Sequence, residues 1–182
     1  MLDVLDEQLV KPGDFIFNKR KEFLVSFLPV VKHLYNSIAS EPEDINLYYE
    51  TELMQASLPE LLKINRNKDC MIQRTSSGIH RDDLDIQLGR QVFRLIASQG
   101  QRKSLLFALK LAEMEILEKE KGFAPLLLLD DVFEKLDEER ISNLLEKVCV
   151  ENDGQVFITD TNKDRLSSHL EEHGIDFQLI SL

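Results

Sequence analysis

The sequence holds only two cysteines, Cys70 and Cys149, far apart and without a CxxC pair or histidine-rich company. That excludes a disulfide framework and a cysteine-based zinc site, and a reducing cytoplasm is the expected compartment. Long hydrophobic runs are missing too. Nothing approaches the roughly 18 consecutive apolar residues of a membrane-spanning helix, and the opening MLDVLDEQLV has neither the basic nor the apolar segment of an export signal. Basic residues are scarce: 22 Lys and Arg stand against 33 Asp and Glu, a net charge of -11. A surface that binds nucleic acid over its whole extent needs clustered cations, so the chain as a whole is not built as one. No internal repeat or low-complexity stretch is present.

What is present is a 182-residue chain with 43% hydrophobic content, enough for one ordinary core or for one core with a helical extension. One segment breaks the acidic trend. Residues 90–103 hold Arg90, Arg94, Arg102 and Lys103 and no acid, which fits either a solvated face or a local anion-binding surface.

Residues 1–40 read as helix, because Leu2, Leu5 and Leu9, then Phe23, Phe27, Val30, Val31 and Leu34, recur at near-helical spacing. Pro12-Gly13 and Pro29 interrupt that pattern and predict two or three helical pieces, or one kinked rod. Residues 45–49, after the turn-like Glu41-Pro42-Glu43-Asp44, read as an edge strand, and a helix is expected from Ser57 or Leu58 to about Met71. Near Thr75-Ser76-Ser77-Gly78 the texture changes, predicting a helical region over 1–75 and an α/β region over 76–182. In the latter, residues 84–88 and Val92-Phe93 around Gly89-Arg90 suit a β-hairpin. The strongest helix spans 101–121, with Leu105, Leu109, Ala112 and Ile116 as its core stripe and Gly122 as its stop. Residues 126–129, all leucine, are expected as a strand buried on both faces. A helix over 137–150, a strand over 156–159, a helix over 163–172 and a strand over 175–180 complete the reading.

The sharpest chemical feature is Asp130-Asp131, two acids at the carboxyl end of the leucine strand, where α/β sheets bind ligands. Adjacent carboxylates repel, and a cation removes the conflict. In nucleotide sites of this shape the first acid holds Mg²⁺, usually through water, and the second polarises the attacking water. A pair that merely caps the next turn is the plain alternative. Six residues after Asp131 comes Asp137, inside Glu134-Lys135-Leu136-Asp137, and 29 residues before it Arg102 closes Ala97-Ser98-Gln99-Gly100-Gln101-Arg102. That segment suits a phosphate: Ser98 offers a hydroxyl, Gly100 permits close backbone approach, and the following helix points its amides at an anion. Ser98 as a simple helix N-cap is the alternative, and both roles are compatible.

Taken in order, Ser77-Gly78-Ile79-His80-Arg81-Asp82-Asp83-Leu84, Ala97-Ser98-Gln99-Gly100-Gln101, Leu109-Lys110-Leu111-Ala112-Glu113, Leu128-Leu129-Asp130-Asp131-Val132-Phe133, Leu136-Asp137 and Gln155-Val156-Phe157-Ile158-Thr159 resemble the RecF family. The match is strongest over 78–159 and weaker over the first 75 residues. The resemblance implies the C-terminal part of an ABC-type (P-loop NTPase) ATPase lobe, with a mainly helical arm over 1–75. It implies an ATP-dependent DNA-binding homodimer acting in recombinational gap repair and replication, on single-strand/double-strand junctions, with RecR and RecO as partners and no membrane. By the same resemblance, Asp130 would hold Mg²⁺ and Asp131 would be catalytic, both serving the ATP of their own subunit. Ser98, Gln99, Gly100 and Gln101 would meet the γ-phosphate held by the other subunit, and Asp137 would lie in the D-loop at the seam.

Several features depart from that pattern. None of the seven glycines, at 13, 78, 89, 100, 122, 154 and 174, opens a GxxxxGK[ST] loop, so this chain alone is expected neither to bind ATP tightly nor to hydrolyse it. The His-Arg-Asp-Asp run follows Gly78-Ile79 where relatives have Gly-Pro. Asp160-Thr161-Asn162 stands where many ABC ATPases place a switch histidine. His169 and His173 fit an HxxEH pattern but have no third ligand in view, and His80 suits a nucleotide or DNA contact or a purely structural bond. His33 and both cysteines read as packing or surface residues. Two other function classes stay open: a non-catalytic DNA- or protein-binding module, and a receiver-like phosphoacceptor using Asp130 or Asp131. The second is disfavoured because residues 175–182 contain no Lys.

Overall fold

The computed structural model describes residues 2–180. Helix α1 (Leu2–Ile38) runs unbroken through Pro12 and Pro29, so of the two expectations, separate pieces or one rod, a single helix is what forms. A proline deletes one backbone donor and crowds the preceding turn, a local loss that the hydrogen-bonded turns on either side carry across. Gly13 marks a contact rather than a break. A Cβ there would lie 2.5 Å from Cδ2 of Leu58, a buried residue of α2 (Leu58–Ile72).

The chain forms two compact units, residues 1–28 with 46–87, and residues 29–45 with 88–182. Residue 75 thus lies inside the first unit, which the chain leaves over residues 29–45, rejoins at Asn46 and leaves again after Gln87. The reason is pairing: β2 (Asp83–Leu88) lies beside β1 (Ile45–Glu50), which holds residues 83–87 to the first unit. In that unit α2 opens with a capping box in which Glu60 accepts from the Ser57 backbone N–H at 2.9 Å, with Pro59 in the first turn. Asp82, its side chain 5% exposed, accepts from Arg20 at 3.0 Å and from the Tyr49 hydroxyl at 2.5 Å. Burial, then the Asp82 carboxylate, push the Tyr49 phenol up to about 12.

In the second unit the Gly89-Arg90 turn leads into β3 (Gln91–Val92), α3 (Phe93–Ile96) and α4 (Gln99–Lys121). Strands β4 (Leu127–Leu129) and β5 (Val156–Ile158) pair in parallel, Leu127 opposite Val156 and Leu129 opposite Ile158. Helix α5 (Glu138–Leu145) widens into a π turn over Glu146–Val150, and α6 (Lys163–Glu172) follows β5. The core joins Tyr35 and Ile38 of α1, Ala108, Leu111 and Ala112 of α4, Val132 and Phe133 after β4, and Ile141, Leu144 and Leu145 of α5.

Two expectations fail here. Leu126 and Leu128 are 66% and 74% exposed, so the leucine strand buries only the face carrying Leu127 and Leu129. Residues 175–180 form no strand, since their alternating apolar side chains find no ladder to join among the described residues. The stripe of α4 is also shifted. Leu105, Ala108, Leu111 and Ala112 are buried, whereas Leu109 and Ile116 are only half-buried.

Candidate functional site

The carboxyl end of β4 delivers Asp130 and Asp131, and parallel pairing brings Thr159 beside them. The Thr159 backbone N–H donates to the Leu129 carbonyl at 2.9 Å, its hydroxyl donates to Asp130 Oδ1, and it accepts from the Asp131 N–H at 3.3 Å. Asp131 has φ 50°, a left-handed conformation that costs most side chains but that Asp and Asn tolerate. Lys103 of α4 holds that turn: its ammonium donates to the Asp131 carbonyl and, at 2.8 Å, to the Glu134 carbonyl. The Asp131 carboxyl is raised above the ordinary aspartate range by its hydrogen bond to Glu134, then by burial, then by the Glu134 charge; Glu134 is correspondingly lowered. Carboxylate oxygens are the donors Mg²⁺ takes. Among the described residues no cluster of three or more His, Cys, Asp or Glu could hold a metal, so a cation here would also need oxygens from a bound phosphate.

Ser98 caps α4. Its Oγ accepts from the Gln101 N–H at 3.1 Å while Gln101 Oε1 accepts from the Ser98 N–H at 2.8 Å. The amides of Gln99 and Gly100, in the first turn, have no acceptor within the helix and form its positive end. The Gln101 side chain is engaged at both ends, because its Nε2 donates to Glu43 Oε2 at 2.8 Å. Gly100 permits a close approach by the protein itself: a Cβ there would lie 3.1 Å from the Lys135 carbonyl oxygen.

That carbonyl leads into Asp137, the N-cap of α5. Its Oδ1 accepts from the Arg140 N–H at 2.8 Å and from the Ser40 hydroxyl at 3.1 Å, and its Oδ2 pairs with Arg140 Nε at 3.2 Å. Burial works against the Asp137 charge, but these donors outweigh it and hold the carboxyl below its ordinary value. Arg140, 7% exposed, also donates through Nη1 to Ser104 Oγ at 3.0 Å and through Nη2 to Glu43 Oε1. Sequence reasoning singled out neither Glu43, Ser104 nor Arg140. The only signal was the i,i+3 spacing of Asp137 and Arg140, which reads equally well as a surface pair.

The remaining candidates divide. Asp160 accepts from the Phe133 N–H at 3.3 Å and the Asn162 N–H at 2.7 Å, so the residue in the switch-histidine position ties down the loop after Asp131. His80 bonds the Thr75 carbonyl at 3.1 Å. His169 meets Glu138 at 2.8 Å and His173 meets Ser142 at 2.9 Å, so both latch α6 to α5. Of the basic run, Arg90, Arg94 and Arg102 are exposed, and Lys103 turns inward to the carbonyls described above.

Comparison with known proteins decides the family. No family model matches the chain. The DNA replication and repair protein RecF of Flavobacterium johnsoniae is 41% identical over 181 residues, 100% of this chain and 50% of that protein. RecF of Bacteroides thetaiotaomicron is 38% identical over 176 residues, 97% of this chain and 48% of that protein. The chain belongs to the RecF family. It spans about half the length of the curated RecF relatives it matches, their C-terminal part. Solved structures of the recombination mediator protein RecF-ATPrS and RecF-ATP in the RecFOR pathway superpose with a TM-score of 0.71 at 28% identity, over 90% of this chain and 46% and 45% of theirs. The fold is accordingly that of the C-terminal part of an ABC-type ATPase, which sets the receiver-like alternative aside.

Proposed function

We propose that this chain is the half of a RecF-type DNA repair ATPase that supplies the signature segment, the D-loop and the paired acids to ATP sites shared by two subunits. In this reading Asp130 holds Mg²⁺ through water, and because no cluster of three or more His, Cys, Asp or Glu among the described residues could hold a metal, a nucleotide's phosphates supply further oxygens. Asp131 polarises the attacking water, the amides after Ser98 face the γ-phosphate of the opposing subunit, and Asp137 lies at the seam. Residues 1–75 belong to a helical arm and 76–182 to the ATPase lobe. The whole protein acts in the cytoplasm as an ATP-dependent homodimer on DNA at single-strand/double-strand junctions, with RecR and RecO.

The observation that carries this reading is that α4, capped at Ser98, is bonded through Lys103 to the turn of the acids and through Ser104 and Arg140 to Asp137, while Gly100 leaves room for the Lys135 carbonyl to lie close to the cap. A second feature supports it. Leu126 and Leu128 of the β4 segment and Leu106 of α4 line an open apolar groove of about 350 Å³, which we assign as the seat of the half of RecF that this chain does not span.

The test is Ser98→Arg in the chain joined to the N-terminal half that its relatives carry. Bulk at the helix N-terminus should abolish ATP-driven dimerisation in sedimentation while leaving ATP affinity of the monomer unchanged. Equal loss of both would place Ser98 on its own subunit's nucleotide, and unchanged dimerisation would reduce the segment to a helix cap.

A further inference from the structure

We propose that Glu43 and Arg140 are a positioning pair that fixes the Gln101 amide and the Asp137 carboxylate together, so that the signature segment and the D-loop are set as one unit. The proposal rests on the nucleotide reading of the Ser98 segment given above.

Three stretches distant in sequence converge on this pair. The side chains of Arg140 and Glu43 are 9% and 14% exposed. Each guanidinium nitrogen has its own acceptor: Nη2 on Glu43 Oε1, Nη1 on Ser104 Oγ at 3.0 Å, Nε on Asp137 Oδ2 at 3.2 Å. Glu43 Oε2 accepts from the Tyr35 hydroxyl at 2.6 Å and from Gln101 Nε2 at 2.8 Å. Burial opposes the guanidinium charge, and the Glu43 carboxylate outweighs it. Next to the pair, Asn143 of α5 donates to the Ile38 and Ala39 carbonyls at 3.4 and 3.3 Å, a second bond between the end of α1 and α5.

A buried ion pair gives little net stability compared with apolar residues of the same volume. What it supplies here is direction. An ionised carboxylate only accepts, so Glu43 determines which end of the Gln101 amide faces it. With Nε2 held by Glu43, Oε1 is left for the Ser98 N–H, the bond that completes the cap of α4. A flipped amide would set donor against donor at Ser98 and donor-less oxygen against the Glu43 carboxylate. The rigid fork of Arg140 then passes the same alignment to Asp137, whose Oδ2 lies on Nε. Gln101 is in this view a positioning residue for the amides that precede it, not a ligand of the phosphate.

Glu43→Gln tests this because it keeps the shape but lets the side chain donate as well as accept. It is made in the chain joined to the N-terminal half of its relatives, beside Arg140→Lys, Gln101→Ala, the double variant Glu43→Gln with Gln101→Ala, and Ser98→Arg. ATP affinity of the monomer and ATP-driven dimerisation are measured on each, with thermal unfolding as the check on folding. The expected result is dimerisation weakened about tenfold in Glu43→Gln and in Arg140→Lys, ATP affinity within about twofold of the parent, and a double variant no weaker than Gln101→Ala alone. Parental dimerisation in both folded single variants overturns the proposal, and if Ser98→Arg fails in the same assay the nucleotide reading stands. Additive losses in the double variant also overturn it, because Glu43 would then act independently of Gln101. Parental dimerisation in Ser98→Arg as well would remove the nucleotide reading and the proposal with it.

Discussion

Gly100→Ala puts one methyl group between the cap of α4 and the chain entering Asp137, and the structure sets both sides of the balance. On the favourable side, replacing a helical glycine by alanine gains up to about 1 kcal/mol in a helix interior, and less in the first turn where Gly100 stands. Against it, the new Cβ would lie 3.1 Å from the Lys135 carbonyl oxygen, so that carbonyl must retreat by a few tenths of an ångström. It has little room to do so. Lys135 is already left-handed at φ 68°, the preceding Glu134 carbonyl is held by Lys103 at 2.8 Å, and Asp137 is capped to Arg140 at 2.8 Å. Overpacking of this kind costs about 1–3 kcal/mol. The net expectation is a loss of about 1 kcal/mol, which for a chain of this length lowers Tm by about 2–4 °C. Differential scanning calorimetry of parent and variant measures it. In the chain joined to the N-terminal half of its relatives, the displaced carbonyl should also weaken ATP-driven dimerisation beyond the loss of stability. A rise in Tm would refute the reasoning, because it would mean that the Lys135 segment yields freely and that no rigid block joins the cap to Asp137.

Two further outcomes follow from the acids, both in the chain extended in the same way. Asp131→Asn keeps the left-handed backbone, which Asn accepts at φ 50°, and removes the carboxylate; hydrolysis should fall about a hundredfold or more while ATP still drives dimerisation, and a parental turnover rate would refute the role given to Asp131. Glu134→Gln removes the neighbour whose hydrogen bond and charge raise Asp131. The base must be deprotonated to act, so a lower Asp131 pKa should move the acid limb of the ATPase pH profile to lower pH, and an unmoved or upward-shifted limb would show that Glu134 does not control it.

The parts of the fold that were legible in the sequence are those with local punctuation. Helix α4 carries Ser98 and Gln101 at one end and Gly122 at the other, and α6 (Lys163–Glu172), expected over about 163–172, is capped by Asn162. Pro12 and Pro29 left separate pieces and one rod both open because their effect is a local cost set against a 37-residue helix, and no local rule says which prevails. Residues 126–129 and 175–180 misled for a related reason. A strand's apolar pattern records the partners it is built to meet, and here Leu126, Leu128 and Ile180 stay largely uncovered, at 66%, 74% and 69% exposure.

The site divides along the same line. Asp130, Asp131, Ser98 and Asp137 were legible because each owes its place to the end of one element, a strand terminus or a helix cap, and such ends are written in a few adjacent residues. The groups that hold them were not. Arg140 reaches Ser104 across 36 positions and Glu43 across 97, and Lys103 reaches Glu134 across 31. In a chain with 33 acids and 22 bases, an acid in a turn or a base on a helix has the look of solvated charge wherever it occurs. Only burial separates Arg140 and Glu43 from that background, and burial is a property of the assembled core around Tyr35, Ile141 and Leu144 rather than of either neighbourhood in sequence. The side chains assigned to the site are thus specified locally, while their relative geometry is specified by a few long-range bonds, and on the proposed nucleotide reading substitutions at Glu43 or Arg140 should weaken the site without altering any group assigned to the nucleotide.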